Sequence, residues 1–94
     1  MTETPSGQPA LAVVPEGVLV QHVEGETVLL HLTSGQYYAL DPVGTRMLDL
    51  ACALPDAPSV VETLGQEYDA TPDVLAADLE RLLGELAENG LIVR

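Results

Sequence analysis

The side chains that could carry chemistry in this sequence are His22, His31, Cys52, Ser34, Ser59 and a large set of carboxylates. Two histidines could open a metal site. They lie on separate extended segments, however, and no further His or Cys joins them at ligand spacing. They read as structural or surface residues. Cys52 could be a nucleophile, but it sits in an apolar helical run and reads as a small core residue. A single cysteine cannot form an internal disulfide, which fits a reducing, cytoplasmic setting. Ser34 belongs to a turn and Ser59 to a helix-cap pattern. The 15 acidic residues show no spacing that marks a general acid paired with a base, and along helices they read as solvated faces. No glycine-rich phosphate loop is present. Gly44 and Gly65 stand alone inside helical stretches, where they are expected to permit close packing. The sequence therefore points to no catalytic residue, no metal and no organic cofactor.

A pair of aromatics stands out instead. Only three aromatic residues occur, all tyrosine, and Tyr37 and Tyr38 are adjacent in "TSGQYYALDPVGTRML", Thr33 to Leu48. Neighbours on a strand point to opposite faces. Leu40 precedes a helix and should face the core. Tyr38 shares its parity and is expected inside, with Tyr37 and Ala39 on the opposite face.

The elements around this pair follow from local signals. "GVLVQHV" (Gly17–Val23), "TVLLHLT" (Thr27–Thr33) and "QYYAL" (Gln36–Leu40) read as strands. "EGE" (Glu24–Glu26) and Ser34-Gly35 read as the turns between them, which gives an antiparallel meander with the third strand at one edge. Then the period changes. Asp41 can cap a helix whose first residue is Pro42. Val43, Met47, Leu50 and Leu54 share its apolar face, which Leu48 and Cys52 widen. "PDAP" (Pro55–Pro58) should end it. Ser59 and Glu62 form a capping-box pattern for a second helix, with Val61, Leu64 and Tyr68 on one face. Thr71-Pro72 opens a third, carrying Leu75, Leu79, Leu82, Leu83 and Leu86 and closing at Asn89-Gly90. Leu91 to Val93 should pack back as an extended tail. No internal repeat appears.

Composition bounds the rest. The 94 residues are one domain, 47% apolar and, without Phe or Trp, mainly aliphatic in its core. Residues 1–15 are rich in Pro, Thr, Ser and Gly and are expected to form a disordered tail, leaving residues 16–94 as the domain. They lack a positive start, and "ALAVV" (Ala10–Val14) is too short for a secretory apolar region. No run reaches the ~18 apolar residues of a membrane helix. A formal charge of −12 repels nucleic acid and anionic lipid, and suits either plain solubility or a cationic partner.

The expected fold is thus α+β, a three-stranded antiparallel sheet followed by three helices, in a winged-helix-like order. A DNA-binding winged helix needs a basic recognition surface. The third helix holds Asp73, Asp78, Glu80, Glu85 and Glu88 against Arg81 alone, which excludes that use. An acidic acyl carrier needs a Ser that accepts the phosphopantetheine arm, usually in an Asp-Ser-Leu context. No such triplet occurs, so a carrier or a generic interaction module is the more distant alternative.

"GQYYALDPVGTRMLDL", "SVVETLGQEYD" and "DLERLLGELAENGLI", taken in order, resemble the PqqD-like family, the recognition elements of ribosomally made, post-translationally modified peptides. The shared pattern is an aromatic-rich strand ending in Leu40, a turn residue at Asp41 and a small-residue helix start at Val43 to Thr45. It continues with Asp78-Leu79, Leu82-Leu83, Leu86 and Gly90-Leu91. The resemblance covers Gly17 to Ile92. Many relatives carry Asn where Asp41 stands, and either residue can cap. The family pattern often has an aromatic near Leu48, Leu82 or Leu91, where this sequence has leucine.

The resemblance implies a free-standing, non-catalytic protein that binds the leader segment of a precursor peptide. It would deliver that leader to a separate leader peptidase and a macrolactam-forming cyclase. Lasso-peptide biosynthesis is favoured, with a peptide-chaperone role in pyrroloquinoline quinone biosynthesis as the alternative. The leader would lie as an added strand beside Gln36, Tyr37, Tyr38, Ala39 and Leu40. Val74, Leu75, Asp78, Leu79 and Leu82 of the third helix would form the other wall.

Overall fold

The computed structural model describes residues 10–94. Three strands come first: β1 (Val18–Val23), β2 (Glu26–His31) and β3 (Tyr37–Leu40). Three helices follow: α1 (Pro42–Ala51), α2 (Ala57–Glu67) and α3 (Pro72–Glu88). The sheet is antiparallel in the order β1-β2-β3, so the expected α+β meander is the one observed and β3 is an edge strand.

The meander is set by its turns. Val23 pairs with Glu26, leaving Glu24-Gly25 as a two-residue loop. Both have positive φ, 52° and 84°, as a turn matched to the right-handed strand twist requires. Between β2 and β3 the His31 carbonyl accepts from the Gly35 N–H and the His31 N–H donates to the Gln36 carbonyl, each at 2.8 Å. Gly35, at φ 78°, makes that reversal possible.

The helix starts are capped by acids or hydroxyls. The Asp41 carboxylate accepts the Gly44 N–H at 2.8 Å, and Pro42 occupies the first turn, where a missing donor costs nothing. Gly44 allows α1 to start hard against β3: a Cβ there would lie 3.2 Å from the Asp41 carboxylate and 3.4 Å from the Leu40 Cβ. Gly65 has no such neighbour among the described residues, so close packing does not explain it there. The cap of α2 is Asp56, whose carboxylate accepts the Ser59 N–H, and not Ser59 as the capping-box pattern suggested. Pro58 therefore sits inside the first turn of α2 and does not terminate α1. That contact holds the Asp56 carboxyl below its ordinary pKa. Thr71 caps α3 as expected, and Asn89 with Gly90 at φ 72° ends it.

Helices cover one face of the sheet. Leu29 of β2 and Leu40 of β3 meet Met47 and Leu48 of α1, Val60 and Leu64 of α2, and the Leu75-Leu79-Leu83-Leu86 stripe of α3. Leu91 and Ile92 are buried beneath them. An Arg46–Glu67 ion pair ties α1 to the end of α2, and its guanidinium holds the Glu67 carboxyl below the usual carboxylate range.

Three further expectations change. The disordered tail was placed over residues 1–15, of which 1–9 lie outside the described residues. Residues 10–15 are not disordered. Ala12 is buried, its N–H donates to the Ala51 carbonyl at 2.9 Å, and Val13 bridges Val93. The apolar "ALAVV" segment straps the end of α1 to the C-terminal tail. Cys52 is exposed and is not a core residue, because it caps the C-terminus of α1 one position beyond the buried Ala51. Val43 is 37% exposed and lies beside β3, outside the core face assigned to it.

Candidate functional site

The register of β3 decides which of its backbone groups are free. Leu29 opposes Tyr38 and Thr27 opposes Leu40. The bond from His31 to Gln36 marks that pair as hydrogen-bonded, and antiparallel pairs alternate. Tyr38 and Leu40 therefore bond to β2, while the N–H and C=O groups of Tyr37 and Ala39 point to the open edge. The β1 side is consistent: the Leu32 N–H donates to the Gly17 carbonyl, so Leu19 and Gln21 bond inward and Val20 and His22 face the opposite edge.

Side chains alternate as the sequence implied. Tyr37 is 71% exposed on the outer face. Tyr38 is half-buried against the core, and its hydroxyl donates to the Glu85 carboxylate of α3. This bond links the edge strand to the helix across the site. It favours the protonated phenol and raises the Tyr38 pKa, with burial adding to the effect. A raised folded-state pKa contributes stability below the ordinary phenol value of about 10 and loses it as pH rises through the folded value. In an ultraviolet tyrosinate titration Tyr38 should ionise late. Glu85→Gln should bring that component down and Tyr38→Phe should delete it. A titration unchanged by Glu85→Gln would show that the bond is not formed in solution.

Beside the open edge lies a cleft of about 360 Å³. Tyr38, Ala39 and Leu40 form its strand wall, Asp78, Arg81 and Leu82 its α3 wall, and Asp41, Val43, Gly44 and Met47 its floor at the start of α1. The lining is polar at Asp41, Asp78 and Arg81 and apolar at Leu82, Val43 and Met47. An extended chain entering here would meet backbone donors and acceptors on one side and an apolar trough on the other. Among the described residues no three His, Cys, Asp or Glu side chains converge on a metal position.

Residues 26–92 match the family described as coenzyme PQQ synthesis protein D, PqqD. The chain belongs to the PqqD family. Two solved structures share the architecture. One, described as TbiB1 in complex with the TbiA(beta) leader peptide, is 31% identical with a TM-score of 0.77, over 85% of this chain and 93% of that one. Another, described as lasso peptide synthetase B1 complexed with the leader peptide, has a TM-score of 0.81 over 90% of this chain and 100% of that one. Its identity of 22% makes it a likeness of fold. Compared with curated proteins, the chain has no significant match.

In this PqqD-family domain the expected contact residues divide into three groups. Tyr38, Ala39, Leu40, Asp78 and Leu82 come together at the cleft. Gln36, Tyr37 and Val74 are exposed outside its lining. Leu75 and Leu79 are 3% and 1% exposed and belong to the core, because they share the inward stripe of α3 with Leu83 and Leu86. Sequence reasoning missed Asp41, Val43, Gly44, Met47 and Arg81 as cleft residues. The first two turns of α1 complete the lining of this cleft, and the adjacency of Leu40, Asp41 and Pro42 was the signal available for it.

Proposed function

We propose that this protein is a non-catalytic leader-binding component of lasso-peptide biosynthesis. It takes up the leader of a ribosomally made precursor as a fourth strand on β3 and presents it to a separate peptidase and cyclase in the cytoplasm. The observation that carries the reading is the open β3 edge, with the Tyr37 and Ala39 backbone groups directed outward over a cleft. Strand addition of this kind takes affinity from main-chain bonds and specificity from side-chain pockets. The 31% identity to TbiB1, a protein seen with a leader peptide, supports the same choice. The family's description favours a second reading, a PqqD-type chaperone in coenzyme PQQ synthesis. Both readings use the same edge. Neighbouring reading frames separate them, since the first requires a short precursor beside peptidase and cyclase genes.

The direct experiment is titration of a labelled synthetic leader, taken from such a neighbouring precursor, followed by fluorescence anisotropy. Saturable binding at micromolar or tighter Kd is expected, from several backbone bonds and one or two buried anchors less the cost of ordering the leader. No binding at high micromolar protein would refute the proposal.

Charge gives a further expectation. A domain at −12 steers a leader of net positive charge. Raising salt from about 0.01 M to about 1 M shortens the screening length from about 30 Å to about 3 Å. The association rate should fall by about tenfold or more over that range while the dissociation rate changes less. A flat association rate would assign the acidic surplus to solubility alone.

A further inference from the structure

The sequence contains three cations, Arg46, Arg81 and Arg94. Two are held in bidentate ion pairs. Arg46 takes both oxygens of Glu67 at 2.8 to 3.2 Å, and Arg94 takes both oxygens of Glu80 at 2.8 and 2.9 Å. Arg81 differs. It makes one 3.2 Å contact with Asp78 in the preceding turn of its own helix, its side chain is 66% exposed, and it lines the cleft. Pairs of this spacing and exposure are worth little and are readily exchanged.

Nearby carboxylates do not compete strongly for it. Glu85 accepts the Tyr38 hydroxyl, and Asp41 accepts the Gly44 N–H. Among the described residues, most of the Arg81 donor fork is thus uncommitted on the lining of the cleft, in a domain otherwise dominated by acids. A guanidinium in that state matches a carboxylate in bidentate geometry, and the match strengthens when a ligand displaces water from it.

We propose that Arg81 is a specificity-determining residue that binds an Asp or Glu side chain of the incoming peptide. The inference rests on the strand-addition reading and deepens it. The leader would be cationic overall but would carry one acid at the register that meets Arg81. Asp78 would release Arg81 on binding and would face the peptide as an acceptor.

The test is selection of random peptides displayed against the intact protein, run in parallel on wild type, Arg81→Gln, Arg81→Glu and Ala39→Pro. Wild type should enrich peptides with Asp or Glu at one fixed register. Arg81→Gln should lose that preference, and Arg81→Glu should turn it to Lys or Arg. A synthetic peptide of the wild-type consensus should bind Arg81→Glu about tenfold or more weakly. Because Arg81 and Ala39 are both exposed and the Ala39 N–H faces the open edge, circular dichroism should show all variants folded. If wild type and Arg81→Glu enrich the same residues at every register, the Arg81 assignment is overturned. Strand addition would still stand in that case if Ala39→Pro abolishes the selection. If wild type enriches no peptide that Ala39→Pro loses, both fall together.

Discussion

Ala39→Pro should leave the domain folded and reduce leader affinity by about thirty- to a hundred-and-fiftyfold. The two halves of this expectation come from one geometric fact. The Ala39 N–H points to the open edge and makes no ladder bond with β2, so proline removes no bond that the folded protein uses. An edge strand tolerates proline on that side, and Tyr38 before it is already extended. The same N–H is a donor to the added strand. Its loss, with the ring obstructing the approach that the neighbouring Tyr37 groups need, costs about 2–3 kcal/mol in main-chain bonds. Anisotropy titration gives the affinity, and thermal melting gives the stability. Tight binding by a folded Ala39→Pro variant would place the leader away from β3.

A contrast between two leucines on α3 should have the next largest effect. Leu79 is 1% exposed in the core, so Leu79→Ala leaves a cavity beneath the sheet and should cost about 2–5 kcal/mol. That is a large part of the about 5–15 kcal/mol that holds a domain of this size together. Urea unfolding should show a sharply lowered midpoint at unchanged slope. Leu82 is half-buried and faces the cleft. Leu82→Ala should cost less stability but about tenfold in leader affinity, because the trough for an apolar anchor becomes shallower. If Leu79→Ala weakens binding at unchanged stability, Leu79 belongs to the groove wall beside Asp78 and not to the core alone.

These two residues also show what could be read from the sequence and what could not. Caps and turns depend on near neighbours, so Asp41-Pro42, Thr71-Pro72, Asn89-Gly90 and the reversal at Gly35 were all legible. The period of the leucines fixed the inward stripe of α3. It did not say where that stripe ends and the cleft begins, because Leu79 and Leu82 differ only in what α1 and β3 place opposite them. Ser59 offered a hydroxyl at a plausible cap position, yet Asp56 holds it. An aspartate followed two residues later by a proline in the first turn satisfies the same helix end three residues earlier. Cys52 carried the right periodicity for burial, but α1 ends at Ala51 before that face is covered. The strap at Ala12 and Val13 was invisible locally, since its partners are Ala51 and Val93. Val43 and Met47 entered the cleft for the same reason, through the packing of the first turn of α1 on β3.

The central claim is that the leader pairs with β3 along the backbone of Tyr37 and Ala39. Residue-resolved amide hydrogen exchange, with and without saturating leader, tests it most directly. The Tyr37 and Ala39 amides should be unprotected in the free protein and become strongly protected in the complex. The Val20 and His22 amides on the opposite sheet edge should exchange at unchanged rates. Protection appearing at Val20 and His22, or at neither edge, would contradict the account.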